Sequence, residues 1–125
     1  MQVVVLISFT YSCSQDDLTK LAMDFATNVK PNVEGLVWKI YLNDPERKRS
    51  AGLYLFRDYE SASAYLNGAY ARGLSEATIV SGVSAEIFQT MQEPSLQSGA
   101  PVGFPIERRA QIRAFRASPS AGSPS

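Results

Sequence analysis

Residues 36–57 read LVWKIYLNDPERKRSAGLYLFR. This stretch is the most informative part of the sequence for the fold, because two strands joined by a turn can be recognised in it. In residues 36–42, apolar side chains recur at every second position, as in a strand with one apolar face. Residues 43–45 are of the types that favour turns. A second apolar run, residues 51–57, follows at hairpin distance. The stretch therefore predicts an antiparallel hairpin in the middle of the chain.

A helix is predicted on each side of this hairpin. Before it, Ser14 and Asp17 have the spacing of a capping box, and Pro31 is expected to stop the helix. The apolar stripe of this helix consists of Leu18, Leu21, Ala22, Phe25, Ala26 and Val29. After the hairpin, Asp58 is a suitable N-cap, and Gly73 is expected to end the second helix. Its buried stripe is predicted to be Ala62, Tyr65, Leu66, Ala69 and Tyr70.

Two further strands are predicted at the ends of this unit. Residues 2–10 are β-branched and apolar, which is typical of a strand buried on both faces, and a fourth strand is expected within residues 78–89. The order β-α-β-β-α-β is that of the ferredoxin-like split βαβ fold. Right-handed crossovers would place both helices on one face of a four-stranded antiparallel sheet. The predicted class is therefore α+β.

The sheet face opposite the helices is also predicted to be apolar. In the first strand Val4 and Leu6 face away from their apolar neighbours, and in the third strand Leu53 and Leu55 alternate with aromatic residues. Monomeric proteins rarely expose an apolar patch larger than a few hundred Å², roughly. We therefore expect a homodimer that pairs the helix-free sheet faces. The alternative is that the C-terminal tail covers this face.

The folded domain is predicted to span residues 1–93, followed by a Pro/Gly/Ser-rich, Arg-containing tail at residues 94–125. The formal net charge is zero, with 12 basic and 12 acidic residues. Since four arginines and only one acidic residue, Glu107, lie beyond residue 99, the folded part is mildly acidic. We therefore expect no nucleic-acid partner.

A cytoplasmic location is expected. The apolar run at residues 3–7 is too short to cross a bilayer, and it lacks the flanking features of a signal peptide, so no membrane partner is predicted. The single cysteine, Cys13, cannot form an intrachain disulfide, and an oxidising compartment is not required.

The chain contains no histidine. This absence excludes histidine-based triads, histidine-ligated haem and most catalytic zinc sites. The sequence also lacks a Gly-rich nucleotide fingerprint and a CxxC motif. We therefore predict neither a cofactor nor a metal, and any redox chemistry would have to come from the substrate itself.

Three motifs, EGLVWKIY at residues 34–41, AGLYLF at 51–56 and SASAYL at 61–66, resemble the YdhR-like monooxygenase family. The closing EIF at residues 86–88 and EP at 93–94 also match this pattern. The resemblance covers roughly residues 1–95. It implies a dimeric α+β barrel related to the antibiotic biosynthesis monooxygenases, which insert oxygen into electron-rich substrates without a metal or flavin. The family often has a histidine in the second helix, where this chain has Ala69.

A substrate-binding site is predicted between the helices and the sheet. Strand alternation assigns Trp38 to the helix side, where its ring could stack on an aromatic substrate, and Tyr54 and Tyr65 could hydrogen-bond a phenol or quinone oxygen. All three also suit a packed core. Arg72 could bind an anionic substrate or cap helix carbonyls. Lys39 is expected to project toward the dimer face or its rim, and no catalytic residue is assigned.

Two functions remain open at this point. The first is a cofactor-independent monooxygenase acting on a small apolar or aromatic, phenol- or quinone-like substrate. The second is a dimeric protein that binds a small ligand without catalysis, which the missing histidine favours. The same absence disfavours a haem-degrading activity.

Overall fold

A computed structural model of the chain describes residues 1–103, in which one antiparallel sheet carries the fold. Its strands are β1 (Val3–Tyr11), β2 (Leu36–Asp44), β3 (Arg49–Phe56) and β4 (Val80–Gln89). Their order across the sheet is β2-β3-β1-β4. This is the ferredoxin-like α+β arrangement, and the predicted fold class is confirmed.

The helices begin at the predicted caps. The side chain of Ser14 accepts a hydrogen bond from the Asp17 amide at 3.1 Å, and Asp58 accepts one from the Ser61 amide at 2.8 Å. The helices are α1 (Gln15–Asp24), continued by a π-helical turn (Phe25–Val29) and a 3-10 turn (Lys30–Asn32), then α2 (Tyr59–Leu66), α3 (Ala69–Glu76) and α4 (Gln92–Gln97). No helix within residues 1–103 is long and apolar enough to cross a membrane.

The second predicted helix is in fact two helices. The backbone of Gly68 is extended (φ −86°, ψ 174°), so α2 ends before it and α3 begins after it. The prediction that Gly73 ends the helix is wrong, because Gly73 lies inside α3. The break also interrupts the predicted apolar stripe, and Ala69 and Tyr70 are exposed instead of buried.

A β-bulge in β2 decides which side chains lie under the helices. Leu36 and Trp38 pair with consecutive residues of β3, so Val37 has no partner of its own. One extra residue moves every later side chain of the strand to the other face. Leu36 stays in the helix-side core, whereas Trp38 lies on the helix-free face and Lys39 lies under the helices. The predicted faces of Trp38 and Lys39 are therefore wrong, because regular alternation cannot foresee a bulge.

The main core lies between the sheet and the helices. In the predicted stripe of the first helix, only Phe25 is buried, and Leu21 is 51% exposed, because α1 packs little against the sheet. The core consists of Val3, Val5, Ile7, Phe25, Leu36, Tyr54, Phe56, Ala62 and Tyr65.

The segment after β4 covers one end of the helix-free face. The indole N–H of Trp38 donates a hydrogen bond to the carbonyl oxygen of Pro101 at 2.9 Å. Since β4 and β2 are the opposite edges of the sheet, the chain between residues 90 and 101 crosses from one edge to the other. Leu55, which pairs with Trp38 on this face, is fully buried, and Val102 is also buried.

The rest of the helix-free face is apolar and open. Ile40, Leu42 and Phe88 are between 44% and 53% exposed. The alternative, a tail that covers this face, is therefore seen at one end of the face and for residues up to 103. Residues 104–125 lie outside the described part of the chain. The domain boundary at residue 93 stays a prediction.

Two glycines with positive φ allow a matched test of packing around the hairpin. Gly35 (φ 80°) has no room for a Cβ, which would collide with the side chain of Ser61, whereas a Cβ on Gly82 (φ 64°) would meet nothing within 4 Å. Replacing either by alanine costs about 1–2 kcal/mol for the left-handed backbone. Gly35→Ala should cost about 1–3 kcal/mol more because of overpacking. Urea unfolding followed by circular dichroism measures both, and equal losses would contradict this account.

Candidate functional site

An aromatic cluster fills the space between the sheet and the helices. Phe25, from the π-helical turn, lies at its centre. Its ring meets Tyr41 of β2 at 6.3 Å between centroids, Tyr54 of β3 at 6.1 Å, Tyr65 of α2 at 6.5 Å and Tyr70 of α3 at 5.0 Å. Five segments of the chain therefore each contribute one ring, and the cluster exists only in the folded chain.

The tyrosine hydroxyls of this cluster are held in their neutral form. Burial, reinforced by the neighbouring Tyr65, raises the pKa of Tyr54 far above its usual value. Burial also raises the pKa of Tyr65 to about 12, although the neighbouring Tyr54 hydroxyl acts to lower it. The pKa of Tyr70 is raised by burial and by the nearby Asp24 carboxylate. These hydroxyls can donate hydrogen bonds to a ligand oxygen, but they cannot act as bases near neutral pH.

Lys39 lies among the rings of this cluster. Its Nζ is 3.9 Å from the centroid of Phe25, 4.3 Å from that of Tyr41 and 4.5 Å from that of Tyr54. None of the ion pairs within residues 1–103 involves this ammonium. Burial lowers the pKa of Lys39 from 10.5 to about 8, because it disfavours the charged form. The ring faces act in the opposite direction, since they attract the cation.

Gly52 makes room for this lysine. A Cβ at Gly52 would lie 2.8 Å from Lys39 Cε and 2.8 Å from Tyr54 Cε1, which is closer than such atoms can approach. A glycine inside a strand weakens the strand, and it often marks a close approach of neighbouring groups. Here the close neighbours are the side chains of Lys39 and Tyr54, so the glycine in the AGLYLF motif has a local steric role.

An open groove of about 500 Å³ lies beside α2 and α3. Tyr65 and Tyr70 belong both to its wall and to the aromatic cluster, so the groove reaches the cluster. At its rim Arg57 pairs with Glu34 at 3.5 Å and with Asp58 at 3.3 Å. A second cavity of about 210 Å³ lies between α3 and the sheet, with apolar walls from Ile7, Leu66, Leu74 and Val83 and with Arg72 among its polar residues.

The structure brings together two of the four predicted site residues. Tyr54 and Tyr65 are neighbours in the aromatic cluster, with ring centroids 5.4 Å apart. Trp38 lies on the opposite face of the sheet, and Arg72 donates a hydrogen bond to the Asn67 carbonyl at 2.8 Å, as the capping alternative expects. The substrate-binding roles of all four residues stay predictions.

Sequence reasoning missed the residue with the most unusual environment, which is Lys39. Phe25, Tyr41 and Tyr70 were likewise not assigned to a site. Gly52 was the available signal, since a glycine between apolar strand residues indicates that a neighbouring side chain passes close by. No group of His, Cys, Asp or Glu side chains suited to a metal ion occurs within residues 1–103.

The strand order and the helices on a single sheet face define a protein of the ferredoxin-like α+β class. The family described as "Putative mono-oxygenase ydhR" matches residues 4–101, and the chain belongs to this family. The family expected from the sequence motifs is thereby confirmed. No functionally curated protein matches the chain.

Solved structures of the same fold share little sequence with this chain. SnoaB, a cofactor-independent oxygenase from Streptomyces nogalater, matches with a TM-score of 0.58 and 13% identity, covering 73% of this chain and 94% of SnoaB. A protein of unknown function from Nitrosomonas europaea matches with a TM-score of 0.59 and 14% identity, covering 83% of this chain and 94% of that protein. The heme-degrader MhuD from Mycobacterium tuberculosis, with two hemes in its active site, matches with a TM-score of 0.50 and 18% identity. The match covers 73% of this chain and 97% of MhuD. These similarities establish the fold alone.

Replacing Lys39 should make the fold more stable at neutral pH. The pKa of Lys39 is lower in the folded chain (about 8) than in the unfolded chain (10.5), so the unfolded state binds the proton more tightly. The free energy of unfolding therefore rises with pH between these two values. Lys39→Met removes this cost, and at pH 7 we expect a gain of up to about 3 kcal/mol, reduced by the lost ring contacts.

The gain should disappear above a pH of about 10.5, where the lysine is neutral in both states. Urea unfolding between pH 7 and 11 measures the difference. Lys20→Met, on the exposed side of α1, is the matched control and should leave the pH dependence as in the parent protein. Parallel pH curves for the parent and Lys39→Met would show that Lys39 carries no such cost.

Proposed function

We propose that this protein is a monooxygenase acting on a small apolar or aromatic, phenol- or quinone-like substrate held between the helices and the sheet. The observation that carries the proposal is the aromatic cluster, in which the rings of Phe25, Tyr41 and Tyr54 surround the Lys39 ammonium next to a groove. Within residues 1–103 this ammonium forms no ion pair. Membership of a mono-oxygenase family supports oxygen chemistry, and the fold is shared with a cofactor-independent oxygenase.

The proposed reaction can proceed without a cofactor because the substrate supplies the electrons. The phenolic hydroxyl is the enol form of a ring ketone that carries a methylene at the opposite carbon. It loses its proton and gives an anion that dioxygen can oxidise at that carbon. One oxygen atom enters the product as a carbonyl group, and the other leaves as water, so CH₂ and O₂ give C=O and H₂O without a further reductant. Buried hydrogen-bond donors aimed at the developing negative charge lower the barrier of such a step.

In this proposal Tyr54 and Tyr65 bind the substrate oxygen. The Tyr65 hydroxyl is available to a ligand in the groove because Tyr65 forms part of the groove wall. Arg72 would interact with an anionic group of a ligand in the smaller cavity. Trp38 would contact a substrate only on the helix-free face, and we propose that its main role is to hold the segment around Pro101.

Oxygen consumption with anthrone-type phenols, which carry the ring methylene that the reaction oxidises, tests this function. We expect uptake by the purified protein that is unchanged by a chelator. Tyr65→Phe should lower kcat about 100-fold, because it removes one donor to the developing oxyanion. Tyr59→Phe is the matched control, since this tyrosine is 59% exposed on α2, and it should keep the parent rate.

A non-catalytic ligand-binding protein is the second candidate. It is favoured by the tight packing of the rings around Phe25, which leaves the open space beside the cluster and not inside it. Substrate binding detected by calorimetry without oxygen uptake, across the whole panel, would select this candidate and overturn the monooxygenase proposal.

We also propose that the protein is a homodimer that pairs its helix-free sheet faces. Ile40, Leu42 and Phe88 form an exposed apolar surface there, next to the half-buried Leu6 and Leu53. Residues 92–103 cover only one end of this face. A second copy is the simplest cover for the remainder, since an isologous contact buries the same patch twice.

Light scattering coupled to size exclusion should give a mass near twice 13.7 kDa. Phe88→Glu places a charge on the paired face and should shift the protein to the monomer, because a buried unpaired carboxylate is costly. Leu21→Glu, at an equally exposed leucine on α1, should leave the mass unchanged. A monomeric parent protein at micromolar concentration would refute the dimer.

A cytoplasmic location completes the proposal. Cys13 is a free, half-buried thiol, as is common in reducing compartments. The mildly acidic folded part supports the expectation that neither nucleic acid nor a membrane surface is a partner.

A further inference from the structure

Lys39 is the group whose position demands an explanation beyond packing. An ammonium surrounded by three aromatic rings, without a carboxylate partner in the described residues, loses hydration and gains only the attraction of the ring faces. Methionine would fill the same space without this cost. Gly52 opens the path of the side chain, so both residues serve to place an amine at this point.

We propose that Lys39 is the general base that takes the proton from the phenolic hydroxyl of the substrate, and that the resulting ammonium then holds the substrate anion. This inference rests on the proposed function, because it assigns the missing base of that reaction. The geometry supports it, since Lys39 lies one ring away from Tyr65 and Tyr70, which form the wall of the groove.

Within residues 1–103, the tyrosines of the aromatic cluster stay protonated near neutral pH, which leaves Lys39 as the proton acceptor of the cluster. Tyr41 lies on its own strand, Tyr54 on β3, Tyr65 on α2 and Tyr70 on α3, and the pKa of each is raised by burial. The Asp24 carboxylate acts on Tyr70. A lysine whose pKa is lowered toward neutrality has the properties of an efficient base.

The proton and the bonding electrons are both accounted for in this step. The neutral amine of Lys39 accepts the proton of the substrate O–H, and the O–H bonding pair remains on the substrate as a phenolate. The products are an ammonium and a phenolate at the same place, which form the ion pair that Lys39 lacks in the free protein. Burial strengthens this attraction, because the local dielectric is low.

Proton transfer can be measured separately from oxygen chemistry with 4-nitrophenol, whose phenolate absorbs at longer wavelength than the phenol. Bound to the parent protein, the probe should ionise at a lower pH than it does in buffer. Lys39→Met should abolish this shift. Lys48→Met is the matched control, because Lys48 also lies near a tyrosine ring, that of Tyr11, but at the β2–β3 turn.

The Lys39→Arg variant distinguishes a general base from a cation that only binds the substrate anion. Arginine keeps the positive charge but cannot lose its proton in a protein, so it can hold an anion and cannot act as a base. We expect oxygen uptake with an anthrone-type phenol to fall about 100-fold in Lys39→Arg and Lys39→Met. In the parent protein the rate should rise about tenfold per pH unit up to a pH of about 8 and then level off.

Each outcome has a distinct meaning. Ionisation of 4-nitrophenol that depends on Lys39, without oxygen uptake, would support the base and reject the monooxygenase proposal. Uptake that persists in Lys39→Arg, or a flat pH profile through pH 8, would reject the base and leave the proposed function standing. If Lys39→Arg does not fold, the probe measurement on the parent protein and Lys39→Met decides alone, and an unshifted probe overturns the inference.

Discussion

The bulge at Val37 is the constraint on which the site depends. Because β2 gains one residue against β3 at this point, the strand presents Leu36 to the core, then Trp38 to the helix-free face and Lys39 to the helices. Without the extra residue, an indole would enter the core and the lysine would face outward. The bulge thus exchanges a neutral ring for a basic amine under the helices, and bulges are common next to functional sites.

The exchange is unfavourable for stability and is compensated only in part. Burial opposes the ammonium form of Lys39, and the rings of Phe25, Tyr41 and Tyr54 stabilise it through their faces. The absence of a side chain at Gly52 is what allows these groups to approach. Costs of this kind are typical of functional sites, where stability is given up for a group with an altered pKa.

The two apolar faces of the sheet are covered in different ways. The helix side is closed by the aromatic cluster, whereas the helix-free side is closed at one end by the chain that follows β4 and is held there by Trp38. The remaining apolar surface around Ile40 and Phe88 is suited to a second copy of the chain. Trp38 therefore lies where the covered part of this face ends and the open part begins.

The sequence alone predicts the order of the elements and the burial of Tyr54 and Tyr65, because both depend on local periodicity. It also predicts the caps at Ser14 and Asp58, because each is a hydrogen bond between residues three positions apart. Only the tertiary structure decided the break at Gly68 and the side of the sheet on which Trp38 and Lys39 lie. Strand register depends on pairing with a neighbouring strand and on how the core is filled. A bulge of one residue leaves the apolar pattern of β2 almost unchanged while reversing every side chain that follows it.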